Sequence, residues 1–352
     1  MTNLRWSFYQ VWNKSLETRP DKEIKPRDYI WATDLGGAMI DRYFKMKGIT
    51  PSNPPNARAL RKFEAGNLME WVVELVLKRA GILIDKQKWC DFQYPNLLRT
   101  TGRLDHLVGG KPDWGKAKAE VGALGLPEFF DRATDAIIDY FAKTFPGGLA
   151  EVVLETKSSS SFKFDRYDAV GPDLNHKLQV FHYLKATGLE EGHLVYFCKD
   201  DLRMIEFGIF NTPTNPTEIE EIYRHDIETI TQYYQRGIEP PKEPEVLFDN
   251  ELFKFNTNWK VEYSSFLTKI YGYSEPESYR EKWDRKVAQF NRTFGRVVTG
   301  KNMTDLNKQV IEEATALFPE FNDFVALAKE KAKSSPELAA ELVSESGGND
   351  GN

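Results

Sequence analysis

The chain has 352 residues, 41% hydrophobic and 28% charged, with a formal net charge of −6. That is ordinary for a soluble protein of one large elaborated domain or two modest ones. No apolar run approaches a membrane span and none of signal-peptide length opens the chain, so the expectation is a cytoplasmic protein, bacterial or from a phage inside its host, with no membrane partner.

Cys90 and Cys198 supply neither a disulfide framework nor enough thiolates for a four-cysteine metal site. The charge is unevenly spread. Between Tyr279 and Asn302 lie Arg280, Lys282, Arg285, Lys286, Arg292, Arg296 and Lys301, against Glu281 and Asp284, whereas the last fifty residues are acidic. The net charge does not decide for or against a polyanionic partner, because a local patch matters more than the total.

In chain order, residues 1–33 read as an N-terminal arm, docked by Trp6, Phe8, Tyr9 and Trp12. Asp34 reads as the N-cap of a helix to about Lys47, with Gly36 and Gly37 weakening its first turn. A long helix is expected from Asn56 to Ala80, closed by Gly81, with Leu60, Phe63, Leu68, Trp71, Val72, Leu75 and Val76 as its main packing stripe. Glu70 lies off that stripe, on a second face with Gly66, Val73 and Leu77.

Short strands follow at Ile82–Ile84 and Trp89–Tyr94, then a longer one over Leu97–Val108 carrying Asp105. A polar insert, Lys111–Gly125, precedes a helix from Pro127 to Phe145. Next comes the strand Ala150–Lys157, whose apolar run Val152-Val153-Leu154 leads into Glu155-Thr156-Lys157, with the serine tract after it read as a loop. A helix over Asp173–Thr187 packs through Leu174, Leu178 and Phe181, a hairpin pairs His193–Cys198 with Arg203–Phe210, and a helix from Pro216 to Arg236 ends the core at 237. The proline-rich Ile238–Glu245 is the clearest linker. An aromatic and basic helical extension runs to 333, with a helix over Asp305–Lys333, and 334–352 reads as a disordered tail.

The chemistry concentrates in the middle of the chain. Phosphodiester hydrolysis needs a divalent ion held by carboxylates and a cation near the developing charge. Asp105 and Glu155 on neighbouring strands would share such an ion, with the Thr156 carbonyl as a third ligand and Lys157 contacting water or phosphate. Oxygen ligands point to Mg²⁺ or Mn²⁺ rather than zinc. Glu-x-Lys alone carries little, since Glu23-Ile24-Lys25 has the same spacing in a polar stretch. The apolar lead-in is what places Glu155 and Lys157 at the rim of a buried sheet. Gln179 and Tyr183, at i and i+4 with His176 one turn earlier, form a second polar face that would look toward those strand ends.

In this order the motifs resemble the PD-(D/E)XK nucleases, and among them the RecB-like branch of CRISPR-associated and phage exonucleases. The resemblance runs over roughly Asp34–Phe210. It lies in Phe63-Glu64-Ala65-Gly66 followed by Glu70, in Gly102-Arg103-Leu104-Asp105, in Val152–Lys157, and in His176–Tyr183 with its Gln-x-x-x-Tyr spacing.

It implies an α/β restriction-endonuclease-like core, a mixed sheet flanked by helices, spanning 34–237 with the insert 111–148. It further implies Glu70, Asp105 and Glu155 as metal ligands, Lys157 as the catalytic lysine, and Gln179 and Tyr183 as orienting residues. Leu104 stands where the family often has proline. Ala38 and Ser264 or Ser265 stand near the positions where iron–sulfur members carry cysteine, so no cluster is expected.

The activity implied is an Mg²⁺- or Mn²⁺-dependent exonuclease acting on single strands or duplex ends in recombination, repair or phage DNA processing, with a helicase or recombination partner. Arg285, Lys286, Arg292 and Arg296 would add DNA contacts. The alternatives are a structure- or sequence-selective endonuclease of the same fold and a non-catalytic DNA-binding protein. A P-loop at Gly295–Lys301 is rejected, because Asn302 replaces the Ser or Thr and a basic helix replaces the strand.

Overall fold

A computed structural model describes residues 7–17, 24–111, 113–124, 128–212, 217–249, 252–273 and 276–345. Trp6 of the expected arm cluster and the last seven residues of the expected tail lie outside these, as does Pro216. The chain divides into two compact units, Met1–Thr50 with Pro55–Pro240, and Pro51–Pro54 with Pro241–Asn352.

The first unit runs α1 (Phe8–Glu17), β1 (Tyr29–Trp31), a 3-10 turn (Ala32–Asp34), α2 (Met39–Met46), α3 (Ala57–Ala80), β2 (Leu83–Phe92) and β3 (Arg99–Gly110). It continues with α4 (Trp114–Gly122), α5 (Glu128–Thr144), β4 (Leu149–Ser159), α6 (Ser161–Val170), α7 (Leu174–Thr187), β5 (Glu191–Cys198), β6 (Met204–Phe210) and α8 (Glu218–Arg236). The α/β class is as expected: a six-stranded mixed sheet in the order β1-β3-β4-β5-β6, with β2 also on β3.

The pairing around β3 decides where polar groups collect. β2 runs antiparallel along one edge of β3 from Thr100 to Val108. The other edge is shared, with β1 parallel to Arg99–Thr101 and β4 antiparallel to His106, Leu107, Val108 and Gly110. Among the described residues, no strand therefore pairs with Gly102–Asp105 on that edge. β4 runs on past this gap, held by β5 in a parallel ladder from Val153 to Ser159.

Buried helices surround the sheet. In α7 every residue from Leu178 to Leu184 is buried, so the Gln179/Tyr183 face is enclosed. A Cβ at Gly192 of β5 would lie 2.6 Å from Val180 of α7, which is why that strand carries no side chain there. Arg42 of α2, only 2% exposed, donates through both terminal nitrogens to Asp226 of α8 at 2.7 Å each. Asp34 caps no helix; it is the buried partner of Arg27 and Lys45 at 2.6 and 2.7 Å. Burial opposes its ionisation, but the two cations outweigh that and hold its carboxyl below the usual range.

Several expectations are corrected. The stripe assigned to α3 mostly faces outward, Phe63 being 56% and Leu68 59% exposed, with Trp71, Val72 and Val76 exposed as well. The second face packs instead: Val73 and Leu77 join Ala80, Ile82, Leu83, Val108 and Val152 in one cluster. A helix apolar on two faces gives a periodicity that fits either, and the sheet selects the narrower, glycine-bearing one.

The expected strands near 82–84 and 89–94 are one ten-residue strand. The polar insert contains α4, and the insert is part of the unit's core, with Ala117 and Ile138 fully buried and Ile137 and Phe141 packed on the α3 cluster. The serine tract is no loop: β4 reaches Ser159, and α6 begins at Ser161 after Ser160 at the N-cap position. β1, placed in the arm, joins the core sheet.

The second unit holds β7 (Val246–Asp249), β8 (Lys254–Thr257), α9 (Trp259–Glu262), α10 (Leu267–Tyr271), α11 (Pro276–Thr299), α12 (Asp305–Leu317), α13 (Phe321–Ser334) and α14 (Pro336–Glu345). Its core gathers Phe253, Phe255, Phe290, Phe294, Phe321 and neighbouring aliphatic residues. The single helix expected over Asp305–Lys333 breaks at Phe318-Pro319, because a residue before proline is driven out of the helical region and Phe318 sits at φ −130°, ψ 92°. The tail expected to be disordered is helical over Pro336–Glu345, with Leu342 buried in the core cluster.

Asp226→Ala strands the buried Arg42 guanidinium. It is expected to cost about 3–5 kcal/mol, read as a lower urea midpoint at an unchanged slope.

Candidate active site

The site forms at the gap in the β3 edge. Where the β3–β4 ladder stops, the next facing residues are Asp105 and Glu155, one beyond the His106–Leu154 pair. The Asp105 carboxylate replaces the missing strand bond, with Oδ2 accepting the Thr156 N–H at 2.9 Å. The N–H and C=O of one extended residue leave the chain on the same side, so the Thr156 carbonyl faces that gap too.

Glu155 is 1% exposed. Its Oε1 accepts from Lys157 Nζ at 2.6 Å and from Gln179 Nε2 at 2.7 Å. Its Oε2 is buried and makes no hydrogen bond. The Gln179 amide also donates to the Tyr183 hydroxyl at 3.0 Å, and that hydroxyl donates to the Arg103 carbonyl at 2.8 Å. Tyr183 thus occupies the open edge of β3 and ties α7 to both strands. A Cβ at Gly102 would lie 2.9 Å from the Tyr183 ring and 2.7 Å from Ala32, so this close approach requires glycine.

The electrostatics follow from burial. Burial pushes the Asp105 carboxyl well above its ordinary value, and the nearby Glu155 carboxylate adds to the rise. Burial pulls the Lys157 ammonium the other way, but Glu155 and Asp105 outweigh it and raise its pKa, so Lys157 stays cationic. Burial raises Glu70, with the Gln87 hydrogen bond opposing. His106 is buried, and its pKa falls to about 4, so it is neutral at physiological pH.

Glu70 accepts from Gln87 Nε2 at 2.5 Å. Nothing in the sequence marks Gln87. It lies across β2–β3 from Asp105, between the registered pairs Lys86–His106 and Lys88–Leu104, with a left-handed φ of 50°. A non-glycine residue in that region is held there by its surroundings, here next to the acidic cluster.

Among the described residues, no three His, Cys, Asp or Glu side chains converge as a metal site. The set that fits a divalent cation is smaller: Asp105, the orphaned Oε2 of Glu155 and the Thr156 carbonyl, all oxygen donors. Mg²⁺ commonly takes one or two carboxylates and keeps several waters. Glu70 remains engaged with Gln87 rather than joining this set.

The four basic residues expected to contact DNA belong to the second unit. Lys286 pairs with Glu245 and Glu313, both at 2.7 Å. Arg296 donates to Asn302 and Asn307. Both are tied into that unit's fold. Arg285 is 75% exposed beside Glu281, and Arg292 also has a partner.

No protein-family model matches the chain, and no curated protein does. Solved structures do. The crystal structure of SSO0001 matches at TM-score 0.41 and 18% identity, over 75% of this chain and 95% of that one. An alkaline exonuclease (LHK-Exo) from Laribacter hongkongensis matches at TM-score 0.34 and 12% identity, over 65% of this chain and 97% of its own. The same exonuclease in complex with dAMP matches at TM-score 0.35 and 14% identity, with the same coverage.

An acid whose folded pKa exceeds its unfolded value costs stability as pH rises past the ordinary value of 3.8 toward the folded one, and costs nothing below it. Asp105→Asn keeps an oxygen for the Thr156 N–H and removes the charge. In chelator at pH 8 it is expected to melt on the order of a few degrees higher than the wild type, a gain that vanishes as the pH is lowered toward 3.

Proposed function

We propose that this protein is a divalent-metal-dependent deoxyribonuclease, an Mg²⁺- or Mn²⁺-using exonuclease of the RecB-like kind. Its work would lie in recombination, repair or phage DNA processing, alongside a helicase or recombination partner. The observation that carries this reading is the division of labour on Glu155. One buried oxygen is saturated by an ammonium and an amide, and the other is left bare beside Asp105. Burying a carboxylate oxygen without a partner is costly, and a cation shared with Asp105 removes that cost.

Asp105, Glu155 and the Thr156 carbonyl would hold the ion. When bound, it would polarise the scissile phosphate and lower the pKa of attacking water. The protein's own groups do the rest. Lys157, kept charged, stabilises the negative charge that builds on the phosphate. Gln179 fixes Glu155, so its bare oxygen keeps one direction. Tyr183 remains a neutral phenol, because burial pushes its pKa far up, and it anchors Gln179 to β3. Glu70, on Gln87, lies close enough to influence the Glu155 and Lys157 charges and can orient water at the rim. The exposed Arg285 is the α11 candidate for contact with the DNA backbone.

Digestion of end-labelled single- and double-stranded DNA with Mg²⁺, Mn²⁺ or chelator tests the proposal. Hydrolysis should require the metal and should fall by several orders of magnitude in Asp105→Ala and Lys157→Ala proteins that still melt cooperatively. Undiminished cleavage by folded Asp105→Ala would sink it. Closed circular plasmid should be spared while its linear form is degraded; nicking of the circle first would make the enzyme an endonuclease.

A further inference from the structure

One residue of the polar α7 face takes no part in the chemistry above. His176, Gln179 and Tyr183 follow one another along that face at three- and four-residue steps. Tyr183 reaches the Arg103 carbonyl of β3, and Gln179 reaches Glu155 of β4. One turn further back, His176 Nδ1 lies 2.7 Å from the Tyr196 hydroxyl. Tyr196 is the β5 partner of Lys157 in the parallel ladder, so His176 stands at the level of Lys157 as Gln179 stands at that of Glu155.

The hydrogen bonding of Tyr196 fixes the imidazole. Tyr196 is fully buried, with its ring centroid 4.1 Å from that of Tyr167. Burial raises the pKa of its phenol, which keeps its hydrogen. Among the described residues, the Tyr196 hydroxyl has His176 Nδ1 as its only hydrogen-bond partner. A buried hydroxyl is rarely left without an acceptor, so Tyr196 donates and Nδ1 accepts. Burial, then the Lys157 and Lys163 charges, bring the His176 pKa down to about 3, so the ring is neutral. Its one proton therefore sits on Nε2, and that N–H has no partner among the described residues.

We propose that His176 is a substrate-contacting residue of this site, a neutral imidazole whose Nε2–H donates to a non-bridging oxygen of the phosphate that Lys157 also meets. The proposal rests on the nuclease reading above and adds a donor to it. Lys157 is a compact charge already shared with Glu155, and a fixed N–H beside it supplies the direction that an ammonium lacks. Proton transfer is closed to this ring, because Nδ1 is taken by Tyr196 and Nε2 already carries its hydrogen. His176 does not join the cation site either. Moving its proton to Nδ1 would strand the buried Tyr196 hydrogen. What is left to it is to donate.

Two replacements separate the two ring nitrogens. His176→Asn places an amide where Nδ1 stood and keeps a partner for Tyr196, but has nothing at Nε2. His176→Gln places an amide nitrogen where Nε2 stood and leaves Tyr196 without its acceptor. Melting and hydrolysis of end-labelled DNA, single- and double-stranded, are measured for both and for the wild type. His176→Asn should melt close to the wild type. Its kcat should nonetheless fall roughly a hundred- to a thousandfold at little change in KM, the loss known for one donor to a transition-state oxyanion. His176→Gln should melt lower yet turn over faster than His176→Asn. A residue that merely supports Tyr196 gives the reverse order, its activity following its stability.

Nitrogen-15 NMR of the full chain in chelator, with His176→Asn assigning the signal among the five histidines, should find the proton on Nε2. A proton on Nδ1, or a wild-type kcat in His176→Asn, overturns this contact alone. Absence of wild-type hydrolysis with both Mg²⁺ and Mn²⁺ removes the nuclease reading and the contact with it.

Discussion

Everything at the candidate site depends on an interruption in a hydrogen-bond ladder. β3 has strands on both edges except at Gly102–Asp105, where β1 has ended and β4 has not yet joined. Unpaired backbone groups in a buried sheet must find other partners, and the ones they find are residues of the candidate site. The Tyr183 hydroxyl serves the Arg103 carbonyl, and the Asp105 carboxylate serves the Thr156 N–H. The fold thus satisfies its backbone with the side chains that the proposed function would use.

The same interruption sets the electrostatics. Asp105 and Glu155 come together in a poorly solvated place, where like charges oppose ionisation. Lys157 and Gln179 relieve only one oxygen of Glu155. The site without a cation is therefore strained in charge, although its geometry is locked by α7, a helix buried along its length between Leu178 and Leu184. Rigid geometry with unrelieved charge is the condition in which a bound cation has most to contribute, and the stability–function trade-off it implies is common at active sites.

The strand that carries Glu155 and Lys157 was legible because its signal is local. Three apolar β-branched or aliphatic residues running into Glu-Thr-Lys place the pair at a strand end with no knowledge of the rest, and the i, i+4 spacing places Gln179 over Tyr183. What stayed hidden depends on tertiary choices. The α3 helix carries apolar residues on two faces, and only the sheet decides that Val73 and Leu77 go inside while Phe63 and Leu68 stay out. Gln87 has no sequence signature, since its role comes from lying across the ladder from Asp105 in a left-handed conformation. The basic helix shows what composition leaves open. Its composition suggests a polyanion site, yet Lys286 is held by two glutamates and Arg296 by two asparagines.

The central claim is that the bare Glu155 oxygen, Asp105 and the Thr156 carbonyl form one cation site, and it can be measured without substrate. Titration of Mn²⁺ followed by electron paramagnetic resonance counts bound ions directly. The account predicts a saturable site in the wild type that is lost in both Asp105→Ala and Glu155→Gln, and that competes with Mg²⁺. Identical Mn²⁺ binding by the wild type and both variants would contradict it.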